Sequence, residues 1–344
     1  MKYGRLCFSN ESISDNVCNL GDIVQVFAID RLYEQMNIPK EDIVDILLQD
    51  VAQYKGEKIF LPLNAYIKFN KKLPFLPMSE DIVPIFLSIN CTEDICRKYR
   101  DYFKKYEPIG CRDEATYKSM KRNGISAFFL GCTTITFPRR EYEPVNGKAY
   151  IIDLHPSALG YIPDKIKKNA VYHRQDVPLK GRPQTIDTAH EMERISRDRY
   201  RELYSNASLV LTSRLHVASP CIAMGIPVIL IRKGYDDRFS WIDRYIPLYD
   251  TNQSIDINWT PQVEDFEEVK AKIQQAAISV LQREYDWTLL DEVSQYYLSR
   301  KKTKLRMSFV AQVYVWLCKY APRLANFIRD KILFRFTISG SNTQ

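Results

Sequence analysis

Apolar and polar positions along this 344-residue chain switch repeatedly between two regimes, short continuous apolar runs and longer stretches with helical spacing. The clearest passage is Leu209 to Arg232, LVLTSRLHVASPCIAMGIPVILIR. Leu209-Val210-Leu211 has the composition of a buried strand. A polar turn follows, Val217 to Met224 runs helically, and Gly225 stands where a helix end favours a residue tolerant of a left-handed backbone. Ile226 to Ile231 then reads as a second buried strand, with Pro227 at its entry. Strand, turn, helix, strand is the repeating unit of a parallel sheet.

The same alternation recurs along the chain. Strands are predicted at Tyr3 to Ser9, Ile43 to Leu48, Ile59 to Leu63, Ile82 to Ile89, Ile109 to Cys111, Phe128 to Leu130, Lys148 to Asp153 and Ala170 to Tyr172. Helical spacing marks Ile23 to Met36 with Asp22 as its N-cap, Glu93 to Tyr106, Ala115 to Arg122, Ile186 to Asn206 and Val263 to Gln282. The aperiodic FPRREYEPVNG is the break in the pattern. These elements predict an α/β protein of two doubly wound, Rossmann-like domains facing a cleft. Residues 1–138 form the first, 139–147 the linker and 148–297 the second, and 298–344 make a basic helical tail.

Parallel sheets place ligands outside the carboxyl ends of their strands. Ser213, Arg214 and His216 fall at such an end, beside the positive pole of the following helix. Asn19, Gly21 and Asp22 occupy another strand-to-helix turn, where Gly21 admits a ligand close to the backbone. Arg112 lies at a third, and Arg238 in the polar, aromatic segment after Ile231. Together these residues predict an anion site containing a titratable group. Taken singly, Arg112-Asp113 also reads as an ion pair at a helix start, and Asp22 as an ordinary cap.

Composition narrows the setting. With 45% hydrophobic residues the chain is globular in type. Its eight cysteines contain no C-x-x-C pair, which suits buried, reduced thiols and no zinc site. No signal peptide and no run of membrane-spanning length is expected, so the expected location is the cytoplasm. The net charge of +7 is uneven, because ten basic residues and one acid lie from Arg300 onward, leaving the first 299 residues at −2. A nucleic-acid-binding surface is therefore not indicated. Residues 300–335 combine Lys and Arg with Phe309, Trp316 and Phe327, a pattern suited to the inner face of an anionic membrane or, equally, to packing back on the first domain.

Ser213-Arg214-Leu215-His216 with its helix and Gly225-Ile226-Pro227-Val228-Ile229, preceded in order by Asn19-Leu20-Gly21-Asp22 and Arg112-Asp113-Glu114-Ala115-Thr116, resembles the polysaccharide pyruvyl transferase family over roughly residues 1–250. The resemblance implies a GT-B-like arrangement, with no metal and no cofactor. It also implies transfer of the enolpyruvyl group of phosphoenolpyruvate onto a sugar of a bacterial exopolysaccharide or capsule, or its lipid-linked precursor, giving a pyruvate ketal. The residues suit that chemistry. Arg214 and the helix amides meet a carboxylate and a phosphate, Ser213 holds a phosphate oxygen, and Arg112 and Arg238 ring the anion. His216 serves as acid and base near neutrality, and Asp22 stabilises developing positive charge. Donor binding is assigned to the second domain and the acceptor to the first. The alternative is a GT-B-type glycosyltransferase using a nucleotide sugar, since the same helix terminus and arginine would hold a diphosphate.

Overall fold

The computed structural model describes residues 2–9, 17–67, 75–179, 181–234, 237–251 and 257–299. The basic tail, its membrane reading and Cys318 lie outside these. The described residues all lie within one compact unit.

Two parallel sheets organise the described chain. The first is built from β1 (Lys2–Cys7), β3 (Ile43–Leu47), β4 (Ile59–Leu63) and β5 (Ile82–Phe86), in the order β3-β1-β4-β5. β6 (Ile109–Cys111) and β7 (Ala127–Phe129) pair in parallel, and a bridge from Ile89 to Cys111 joins them to its edge. The second sheet contains β8 (Lys148–Ile152), β9 (Val171–His173), β11 (Ala207–Thr212), β12 (Val228–Arg232) and β13 (Leu248–Asp250), in the order β13-β12-β11-β8-β9. In both sheets the first strand sits inside and the chain winds outward on each side of it. That reversal opens a crevice at the carboxyl ends, in the second sheet between β8 and β11.

Helices cover these sheets. In the first half they are α1 (Leu20–Gln35), α2 (Glu93–Lys98), α3 (Arg100–Lys105) and α4 (Glu114–Arg122). In the second they are α5 (Pro156–Leu159), α6 (Asp164–Lys167), α7 (Ile186–Asn206), α8 (Leu215–Ala223), α9 (Glu267–Gln282) and α10 (Trp287–Ser299). α1 buries residues all around its axis, Leu20, Ile23, Val24, Phe27 and Leu32 among them, because it is packed by α7 and α8 as well as by its own sheet. Leu211, Ile229 and Ile231 join Ile151, Leu154 and Ile162 in the core of the second sheet, so the apolar runs are strands covered on both faces. Gly225 has φ +74°, as the end of α8 requires.

Four features differ from the sequence expectation, the first being that the single helix expected over Glu93 to Tyr106 is broken at Tyr99 into α2 and α3. α1 begins at Leu20 with Asn19 as its cap, the Asn19 side chain accepting from the Gly21 amide at 2.9 Å. Asp22 therefore lies in the first turn and is not the cap. A short antiparallel ribbon, β2 (Val17–Asn19) on β10 (Asp176–Pro178), joins the two halves. Three-residue pairings of this kind carry almost no periodic signal. The expected linker is also tied down, since buried Arg140 donates to the Ala207 carbonyl at 2.6 Å and pairs with Glu143.

Candidate functional site

A cavity of about 230 Å³ opens where the strand ends of the two sheets face one another. Asn19, Gly21, Asp22 and Arg112 line it from the first half, and Ser213, Arg214, His216 and Arg238 from the second. The first turns of α1 and α8 both line this space, so the positive ends of two helices lie beside the arginines, although the Leu20 and Gly21 amides of α1 are bonded to Gln175 and Asn19.

His216 sits at the second position of α8 and is half-buried. Pro220, four residues on, lacks the N–H that would bond back to the His216 carbonyl, and the Tyr200 hydroxyl on α7 donates there instead. The ring Nε2 lies 3.8 Å from Cys132 Sγ. Loss of hydration and the charges of Arg112 and Arg238 hold the imidazole well below its usual pKa of 6.5. Without an anion in the cavity His216 is thus neutral, in place of titrating near neutrality. A Cβ on Gly21 would meet His216 Cβ at 3.2 Å and Asn19 Oδ1 at 3.0 Å. Gly21 therefore lets the start of α1 pack against α8, besides lining the cavity.

The arginines differ in their partners. Arg112 is buried, and one terminal nitrogen donates to Gln25 Oε1 at 2.7 Å, Asn64 Oδ1 at 3.1 Å and the Ser88 carbonyl at 3.1 Å. Each of these acceptors is neutral, and its buried Nε has no hydrogen-bond partner. Asp113 does not pair with it: that carboxylate caps α4 at the Thr116 amide, 2.9 Å, and accepts from Asn90. Arg214, half-exposed, is gripped by Asp153 at 2.9 Å and Asp176 at 2.6 Å. Asp153 adopts φ +45°, a left-handed backbone that Asp tolerates better than most residues, and so turns its carboxylate back toward Arg214. The Ser213 hydroxyl donates to the Asp153 carbonyl. Arg238 lies 5.5 Å from the Tyr66 ring centroid.

Sequence reasoning passed over several of these residues. Asp153 directly follows β8, Arg232 ends β12 and both line this cleft, so the strand-end argument applied to Ser213 would have found both. Gln25, Asn64 and Ser88 carry no such signal, because only tertiary folding gathers them around Arg112. Among the described residues one group could hold a metal, Cys7, His190 and Glu193, with ligand atoms within 4.8 Å of one another. It lies away from the cavity, and the Arg5 guanidinium already donates to both Cys7 and Glu193.

Among the described residues, no helix is long and apolar enough to cross a membrane. A family model described as polysaccharide pyruvyl transferase matches residues 19–235, a span running from Asn19 through His216 and ending just short of Arg238. No curated protein matches the chain. Among solved structures, an uncharacterized protein of Klebsiella pneumoniae is 15% identical over 69% of this chain and 88% of its own, with a TM-score of 0.42. A Listeria monocytogenes chain proposed to be a UDP-N-acetylglucosamine 2-epimerase is 10% identical over 83% of this chain and 98% of its own, with a TM-score of 0.36.

Proposed function

The chain belongs to the polysaccharide pyruvyl transferase family, transferases that move a pyruvyl group onto polysaccharide, and on that premise we propose that its donor is phosphoenolpyruvate, bound in the 230 Å³ cavity. The observation that carries this reading is Arg112, a buried guanidinium with neutral partners only, opposite two helix N-termini and beside His216. A buried cation that donates to no carboxylate favours an anionic ligand. Phosphoenolpyruvate brings two anionic groups in a molecule small enough for the space. The acceptor is a sugar of a bacterial surface glycan or of its lipid-linked precursor, and the two halves act as two GT-B-like lobes about the cleft.

In this reading Arg112 and Arg238 hold the donor's charge, and Arg214, fixed by Asp153 and Asp176, forms the rim with Ser213 and the α8 amides. Donor charge offsets that of Arg112 and Arg238, so His216 gains a proton as the anion binds. His216 passes that proton to the methylene carbon, which becomes a methyl group, while the central carbon takes up positive charge facing the Asp22 carboxylate. One sugar hydroxyl attacks that carbon and returns its proton to His216. A second hydroxyl then displaces phosphate, closing the ketal, and its proton leaves on the phosphate.

The test is phosphate release from phosphoenolpyruvate with a panel of glycan acceptors, alongside thermal shift. Phosphoenolpyruvate is expected to raise the melting temperature and nucleotide sugars are not. His216→Ala is expected to cost roughly 10²–10⁴ in turnover while phosphoenolpyruvate still binds. Near-normal turnover in that variant would remove His216 from the chemistry, and a shift with nucleotide sugars alone would favour a glycosyltransferase.

A further inference from the structure

The two ring nitrogens of His216 have unequal surroundings. Nε2 is turned to Cys132 Sγ at 3.8 Å, and of the two nitrogens it is the one with a partner among the described residues. Cys132 lies just past the end of β7, fully buried, and is not among the residues lining the cavity. Nδ1 is therefore the nitrogen left for a molecule in the cavity that His216 lines. A cysteine in a core is ordinarily a small apolar filler. This one is bonded to Asn64 and Thr134 as well as to His216.

Which nitrogen of a neutral imidazole carries the proton is set by what the other ring nitrogen, and each partner, can donate or accept. Here the protons can be traced. Arg112 donates to Asn64 Oδ1 at 3.1 Å, and Asn64 Nδ2 donates to Thr133 Oγ1 at 2.5 Å, so the amide is fixed with its oxygen toward Arg112. The same oxygen lies 3.5 Å from Cys132 Sγ, and an amide oxygen only accepts, so the thiol proton goes to it. Thr134 donates to Sγ at 3.2 Å and is itself bonded to Ser219 of α8 at 2.7 Å. With its one proton given to Asn64, the sulfur meets Nε2 as an acceptor.

We propose that Cys132 is a positioning residue that holds His216 as its Nε2–H tautomer, so that Nδ1 is the nitrogen that exchanges protons with the substrates. This rests on His216 being the acid and base of the reaction. As the donor anion binds, Nδ1 takes up a proton from solvent. The Nδ1–H bond then breaks while the methylene carbon forms a C–H bond with the double-bond pair, leaving the central carbon positive. The attacking sugar hydroxyl bonds to that carbon, and its proton returns to Nδ1. Nε2–H stays on the sulfur throughout, so the ring keeps one orientation through both transfers. The opposite tautomer would block Nδ1 with a hydrogen before the donor arrives.

The experiment is long-range proton–nitrogen-15 correlation on protein labelled at its four histidines, with His216 assigned by its loss in His216→Ala. It is paired with steady-state kinetics of Cys132→Ala and Cys132→Ser. Above pH 6.5 the free wild type is expected to show a protonated Nε2 and a bare Nδ1 on His216, and a protonated Nδ1 overturns the proposal. Cys132→Ala is expected to shift the ring toward Nδ1–H, because a buried N–H without an acceptor is disfavoured, and to lower kcat about 10-fold with KM for phosphoenolpyruvate unchanged. Cys132→Ser, which keeps a hydroxyl in that place, is expected to restore the tautomer and most of kcat. An unchanged tautomer in Cys132→Ala overturns the proposal whatever happens to kcat, since a loss of rate alone marks a packing role. If His216→Ala turns over normally, the acid and base reading fails by itself, and the tautomers of wild type and variants still decide whether Cys132 sets the ring.

Discussion

Two arginines line the same cavity and are held in opposite ways. Arg112, from the first half, is buried and touches only neutral acceptors, Gln25, Asn64 and a backbone carbonyl. Arg214, from the second, is half-exposed and carries two carboxylates. A guanidinium whose charge is already balanced has little to gain from a further anion, whereas one stripped of water and unbalanced has a great deal. Burial and pairing together, more than the presence of an arginine, separate a residue that binds charge from one that shapes the wall. The same contrast extends to their surroundings, because Tyr200, Asp153 and Asp176 pin the second wall through α8 and the ribbon, while the first wall offers charge.

The largest effect expected from this contrast is on donor affinity. Arg112→Gln should raise the KM for phosphoenolpyruvate on the order of 10²–10³-fold, the scale for removing one partner of a buried charge pair. Arg214→Gln should weaken the donor less, mainly because Asp153 and Asp176 then face it uncompensated. Adding Asp153→Asn and Asp176→Asn should therefore recover part of the loss in Arg214→Gln and none of it in Arg112→Gln. Steady-state kinetics on the four proteins checks this, and equal losses with no recovery would erase the distinction.

A second test reads the charge of the cavity through His216. Nitrogen-15 NMR should find its pKa below 6.5 in the free protein and higher once phosphoenolpyruvate is bound, since the anion offsets Arg112 and Arg238. The direction also fixes a stability effect. The folded state binds this proton less readily than the unfolded chain, so the contribution of His216 is full above pH 6.5 and is lost as the pH falls below it. An unchanged pKa on donor binding would mean the anion lies elsewhere.

The smallest effect concerns the pinned wall. Tyr200→Phe leaves the His216 carbonyl without the donor that replaces the missing Pro220 amide, which should cost about 1–3 kcal/mol of stability, read from denaturant midpoints. Turnover should fall with KM for the donor nearly unchanged, because Arg112 is untouched. A rise in KM as large as that of Arg112→Gln would show that the two walls are not separable.

The sequence by itself determined a good deal of this. Apolar runs bounded by turn residues marked every strand of the first sheet and all but the short edge strand β13 of the second, since strands covered on both faces read as continuous apolar runs. Gly225 fixed the end of α8, because few other residues adopt that backbone cheaply. The same local grammar put Asn19, Arg112, Ser213 and His216 at strand ends, and the fold brings those ends to one cavity. What the local pattern could not decide was the state of each charge. Whether Arg112 meets carboxylates or amides depends on Gln25, Asn64 and Ser88, which lie 87, 48 and 24 residues away in the chain. Whether Arg214 is free or gripped depends on Asp153 and Asp176, one of them in a ribbon too short to leave a period. Asp22 reads locally as a cap, but the helix starts earlier, at Leu20, where Asn19 at the end of the β2–β10 pairing accepts from the Gly21 amide. Hydrophobic patterning acts over a few residues and is written locally. Electrostatic balance acts through space, and only the folded chain sets it.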